Sequence, residues 1–128
     1  MAISAPSLFQ LGYYWEAKIF LVSVRLDLYT VLAEGPLSAT AIASSIKTDP
    51  AFTTRLLDAL VVIGLLTSNR VDTGERVYAN TPVVSEFLVK TSPFYMGELM
   101  LLQDAEWEAW GNLETIIRSG RSPIAGNL

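Results

Sequence analysis

The sequence predicts a mostly α-helical, winged-helix-like domain with one small β-hairpin and long flanking helices. Three stretches carry that expectation. The first is Asp49 to Gly64, where Asp49 can cap the first amides, Pro50 suits the first helical position and Gly64 can take the left-handed residue that ends a helix. The second is the pair of β-prone runs Leu65 to Val71 and Arg76 to Ala79 around Asp72-Thr73-Gly74, which reads as a hairpin because Gly tolerates positive φ and Asp bonds its own backbone. The third is Ser38 to Ile46, a short Ala-rich helix started by Ser38 after Gly35-Pro36. Short helix, turn, capped helix and hairpin is the order of a winged helix.

From the N-terminus, Ser7 to Ala33 is helix-prone throughout, without Pro and with Gly12 as its weak residue. Leu8, Phe9, Leu11, Tyr13, Tyr14, Trp15, Ile19, Phe20 and Val24 make this segment apolar nearly all the way round, with charges only at Glu16 and Lys18 before Val24. A helix apolar on every side has to be covered on every side. Leu8 to Val24 is therefore expected to form a tight homodimer interface, with Leu8, Phe9, Leu11, Ile19, Phe20 and Val24 as its residues. A break near Ser23 is expected to divide a long first helix from a shorter one, Arg25 to Ala33, which Gly35-Pro36 ends.

In the Asp49 to Gly64 helix, Phe52, Leu56, Ala59, Leu60 and Ile63 recur at helical spacing as the expected buried stripe, with Thr54, Arg55 and Asp58 away from it. After the hairpin, Thr81-Pro82 starts a helix of about two turns through Val89, with Val83, Val84, Phe87 and Leu88 as its apolar set. Lys90 to Pro93 reads as a linker. A last helix, Phe94 to about Ser119, places Met96, Met100, Gln103, Trp107 and Trp110 along one stripe. Such stripes are usually core; two Met and two Trp around one Gln also suit a flat aromatic pocket, because thioether and indole surfaces pack on planar ligands. This helix bears Glu98, Asp104, Glu106, Glu108 and Glu114 against Arg118, so its net charge equals the −4 of the whole chain. Its acidic face reads as solvated, and no carboxylate pair with a His or Lys partner marks it as catalytic.

The 128 residues make one domain, residues 1–120, with 121–128 as a linker or tail. Hydrophobic residues are 51% and charged residues 17% of the chain, the latter against about 25% in ordinary soluble domains, and mean hydropathy is +0.36. No uncharged apolar run approaches the roughly 18 residues of a membrane span, so the apolar surplus points to a protein partner. Met1 to Gln10 lacks the basic start and apolar segment of a signal peptide, and a cytoplasmic address is the expectation. With no Cys and no His, disulfides, thiolate metal sites and the commonest general base are excluded, and no metal site is expected.

Asp27-Leu28-Tyr29 with Leu32 and Gly35-Pro36, the Ala-rich helix, Arg55 to Leu66, Tyr78-Ala79-Asn80-Thr81-Pro82 with Leu88, and Trp110, Leu113 and Gly120 together resemble one family. It is the N-terminal dimerisation domain of class I S-adenosylmethionine-dependent O-methyltransferases, of the plant caffeate type and the bacterial polyketide or hydroxyindole type. The resemblance spans about Leu11 to Pro123. It implies an intertwined homodimer whose N-terminal segment and Phe94–Trp110 helix help to wall a pocket for a small aromatic or polyketide acceptor. Substrate-pocket candidates are then Tyr13, Tyr14, Trp15, Met96, Met100, Gln103, Trp107 and Trp110, with a small aromatic ligand as partner. It further implies that S-adenosylmethionine and the catalytic base belong to a separate C-terminal domain, toward which the tail leads. No Gly-x-Gly occurs in these residues, so neither cofactor binding nor catalysis is expected of this chain alone.

Two other classes share these features. A free-standing dimeric small-molecule-binding protein or auxiliary natural-product enzyme would use the same groove, with Tyr hydroxyls or an acid as proton donors. A DNA-binding winged helix would need a basic stripe. Ala51 to Gly64 carries one Arg and one Asp, and the hairpin balances Arg70 and Arg76 with Asp72 and Glu75, so nucleic acid is not expected as a partner.

Overall fold

In the computed structural model, which describes residues 1–121, the core gathers around Leu28, Tyr29, Ile42, Leu57, Leu60, Tyr78 and Val84, each under 2% exposed. Nine short helices and three strands supply it among the described residues. They run α1 (Ala5–Gln10), α2 (Tyr14–Arg25), α3 (Leu28–Val31), β1 (Leu37–Ser38), α4 (Ala39–Ile46), α5 (Pro50–Ile63), β2 (Leu66–Arg70), β3 (Arg76–Asn80), α6 (Pro82–Phe87), α7 (Gly97–Ala105), α8 (Trp107–Trp110) and α9 (Leu113–Ser119). The protein is mostly helical, with one small antiparallel sheet of order β1-β3-β2.

Helix α5 has the ends its sequence predicts. Asp49 Oδ2 accepts from the Phe52 amide at 2.8 Å, Pro50 is the first helical residue, and Gly64 at φ 100° closes the helix. The buried face differs from the expected stripe. Thr53, Leu57 and Leu60 point into the core, while Phe52 is 68% exposed and Leu56, Ala59 and Ile63 are half-buried. Apolar residues at 56, 57 and 59–63 surround most of the C-terminal half of this helix, so periodicity alone cannot choose its face. Burial of Thr53 is tolerated because its hydroxyl shares a 2.6 Å hydrogen bond with that of Thr48.

The hairpin pairs Leu66 with Asn80, Ser68 with Tyr78 and Arg70 with Arg76. A third strand joins it unannounced: Leu37 pairs with Tyr78 and Ser38 with Val77. Two residues are too few for a period-2 pattern, and their partners lie far downstream. Ser38 also caps α4, its hydroxyl accepting from the Ala41 amide at 3.2 Å.

At the N-terminus the long helix breaks at Leu11 to Tyr13, around Gly12, and the break expected near Ser23 falls later, at Leu26 and Asp27. The Ser23 hydroxyl donates to the Phe20 carbonyl at 2.6 Å within a continuous α2. The chain turns instead at Asp27, a non-Gly residue at φ 56°, whose carboxylate accepts from the Thr30 hydroxyl at 2.6 Å. The second helix is thereby shortened from the expected 25–33 to Leu28–Val31. Thr81-Pro82 starts α6 as expected, and it stops at Phe87, ahead of the expected Val89.

The C-terminal arm is three helices where one was expected. Met96 caps α7 with a non-helical backbone, and Glu106 separates α7 from α8. Gly111 and Asn112 then separate α8 from α9. The tail from residue 122 onward lies outside the described residues.

Candidate functional site

Two sets of aromatic and apolar side chains stand on the surface, one on α1 and the start of α2 and one on the C-terminal arm. In the first, Leu8, Phe9 (70% exposed) and Leu11 (76% exposed) stand out on and just beyond α1. Tyr13, Tyr14 and Trp15 open α2 and are exposed as well. Their rings form one cluster, with Tyr13 and Trp15 centroids 4.7 Å apart and the Tyr14 ring edge-on to Trp15 at 5.5 Å. Further along α2 the surface turns inward: Ile19 and Phe20 pack partly against the core, and Val24 lies within it.

The second set is the Met–Trp stripe. Its members occupy different environments, because Met96 sits outside α7 and the arm bends at Glu106 and at Gly111. Met96 is exposed, Met100 is half-buried and packs on the core beside Leu101, Gln103 is exposed, Trp107 is half-buried and Trp110 is 66% exposed. The Lys18 ammonium, one turn beyond Trp15, lies 4.8 Å over the Trp107 ring and so joins the two sets. A depression of about 410 Å³ lies elsewhere, along α9, lined by Leu113, Glu114, Ile117 and Arg118. One helix forms it, so it lacks the opposing wall a ligand site needs.

The acidic arm departs from the uniformly solvated face expected of it. Asp104 is buried against α2, where Arg25 Nε donates to its Oδ2 at 3.0 Å and the same guanidinium makes a second contact to that oxygen. Asp104 Oδ1 is buried without a partner. Helical spacing held the signal for this residue, since Asp104 falls between Met100 and Trp107 on one face.

Beneath these surfaces two phenols are held neutral. Burial pushes the Tyr29 pKa up to about 12, against a smaller lowering from its hydrogen bond with Ser23. Burial also takes Tyr78 to about 12; its hydrogen bond to Asp58 and that carboxylate's charge push the same way, and Arg76 opposes them. Both are core tyrosines bonded within the chain, and neither reaches the candidate groove. Among the described residues no cluster of acidic side chains could hold a metal ion, and no helix is long and apolar enough to cross a membrane.

The family model for the O-methyltransferase dimerisation domain matches residues 9–90. The chain is 35% identical over 115 residues to acetylserotonin O-methyltransferase of Mus musculus, covering 88% of this chain and 30% of that protein. It is 30% identical over 112 residues to the tetracenomycin polyketide synthesis 8-O-methyl transferase TcmO of Streptomyces glaucescens, covering 87% of this chain and 32% of that protein. Human N-acetylserotonin methyltransferase, solved in complex with SAM, superposes with a TM-score of 0.78 at 26% identity, over 94% of this chain and 37% of that one. The chain thus spans about a third of the length of the relatives it matches. An exposed apolar N-terminal segment beside a small helical core, with the family match running through both, establishes that this chain belongs to the O-methyltransferase dimerisation domain family.

Proposed function

We propose that this chain is the dimerisation and acceptor-pocket-forming part of an S-adenosylmethionine-dependent O-methyltransferase acting on a small aromatic or polyketide substrate in the cytoplasm. The observation that carries the reading is the exposed apolar surface of α1 and the start of α2, within a chain whose family is defined by dimerisation. Leu8, Phe9 and Leu11 present this surface to a second copy, and Ile19 and Phe20 extend it toward the core; Val24 supports it from below. The winged-helix part, α3 to β3, acts as a scaffold that holds α2 and the arm.

The names of the relatives support an aromatic acceptor: an acetylserotonin in one case and a tetracenomycin polyketide in another. Tyr13, Tyr14, Trp15, Met96, Met100, Gln103, Trp107 and Trp110 form the groove walls in this reading, some from each subunit. The residues of this chain do not fit S-adenosylmethionine. The described strands are all antiparallel, and no Gly-x-Gly loop exists to let backbone approach a nucleotide. No methyl-transfer step is assigned to them.

A DNA-binding role gains no support from the hairpin. Arg70 donates to the Gly74 carbonyl at 2.8 Å, and Arg76 is engaged by Ser68 at 2.6 Å and Asp58 at 2.9 Å. Light scattering at micromolar concentration tests the proposal: a folded particle of twice 14.0 kDa is expected, and a folded monomer would refute the dimer.

A further inference from the structure

Two rungs join α2 to the first two helices of the arm, α7 and α8. One is the cation–π contact of Lys18 with Trp107; the other is the Arg25–Asp104 ion pair. In the second, the Asp104 side chain is 7% exposed and that of Arg25 is 58% exposed. A desolvated carboxylate with one oxygen unpartnered adds little to stability compared with an apolar residue of similar size. Direction is what it adds. Apart from the two rungs, the arm is anchored at its start, where the Met96 amide donates to the Phe87 carbonyl at 2.7 Å, and by Met100 and Leu101 packing against the core. One bond at the start of α7 and apolar packing permit a rotation of its far half that the charge-assisted Arg25–Asp104 contact restricts.

We infer that Arg25 and Asp104 are positioning residues for the aromatic groove. Their pair sets the rotation and height of the arm against α2. Asp104 lies one turn after Met100 on α7, so fixing it fixes Met100, while Trp107, beyond the bend at Glu106, is held by Lys18. The opposite end of α2 carries Tyr14 and Trp15, beside the surface assigned to the dimer, and the pair thereby registers the groove wall against the dimer helix. The inference rests on the groove reading given above.

The test uses the 128-residue chain and four variants: Arg25→Met, Asp104→Asn, the double variant and Arg25→Lys. Amide hydrogen exchange of the ligand-free proteins reads the arm directly. Residues 97–110 are expected to exchange about tenfold faster in each single variant, the half-exposed Arg25 limiting the effect. The double variant should exchange no faster than the singles, Arg25→Lys should fall between them and the wild type, and α5 should be unchanged. Unchanged exchange in the arm, or an equal rise in α5, would overturn the inference.

A titration with 1,8-dihydroxyanthraquinone, followed by tryptophan emission, reads the groove. The midpoint should weaken about five- to tenfold in the single variants, with no further loss in the double variant. A loosened arm with an unchanged midpoint would sink the positioning role. No response from the wild type would sink the groove reading itself, a result distinct from either exchange outcome. Should Asp104→Asn fail to fold, Arg25→Met and Arg25→Lys carry the same comparison from the more exposed side of the pair.

Discussion

The Tyr29 hydroxyl donates to the Ser23 hydroxyl at 2.6 Å, and Ser23 in turn donates to the Phe20 carbonyl at 2.6 Å. Tyr29 and Ser23 are both fully buried, so the two deletions are unequal. Ser23→Ala leaves a buried phenol without an acceptor and should cost about 1–3 kcal/mol; Tyr29→Phe removes the donor with its bond and should cost about 1 kcal/mol. Denaturant unfolding of both variants reads the order directly. The same burial sets a pH dependence. Tyr29 and Tyr78 have folded pKa values raised from 10.0 to about 12, so as pH rises the unfolded chain ionises first. Their contribution to stability is complete below pH 10 and is lost between about pH 10 and 12, on the order of 2 kcal/mol for Tyr29. Alkaline unfolding titrations should show this fall, with a smaller fall in Tyr29→Phe, and phenolate absorbance should show one late-titrating tyrosine fewer.

Helix α5 separates what an element's ends and its faces disclose. Its cap residues were legible because each end needs a specific local chemistry: an acceptor at Asp49, a missing amide at Pro50 and positive φ at Gly64. Asp49→Ala should therefore lower stability by about 1 kcal/mol. Which face is buried depends on the helices packed against it, and Leu57 and Leu60, rather than Phe52, met the core. Leu57→Ala should cost about 2–5 kcal/mol in thermal or denaturant unfolding, whereas Phe52→Ala should stay within about 0.5 kcal/mol. Equal losses would restore the rotated face. The arm gives the complementary lesson. Its helical composition was legible, yet its bends at Glu106 and Gly111 were not, and Asp104 and Trp107, on either side of the first bend, meet Arg25 and Lys18 of α2.

For the whole molecule, exposed apolar surface lies at both ends of the chain, at Phe9 and Leu11 and again at Trp110 and Ile117. A second copy covering the first of these is the simplest way to hide it. Leu11→Asp should leave helical content and the melting of the core intact while weakening the dimer at least tenfold in sedimentation or light scattering, because the charge would be buried without a partner only in the assembly. A change in the circular dichroism spectrum of this variant would place Leu11 in the fold of the monomer instead.

The sequence by itself determined the mostly helical class, the caps of α4 and α5, the hairpin, the family and the apolar character of the first helices. Those features depend on residue type and near-neighbour spacing, which a chain carries into any environment. It also supplied the candidate groove residues, though only as a stripe. Tertiary structure decided the two-residue strand β1, the exposed face of α5, the withdrawal of Val24 into the core and the burial of Asp104. Each depends on a partner distant in sequence, such as Tyr78 for Leu37 or Arg25 for Asp104, and local periodicity holds no record of which element will arrive to meet a given face.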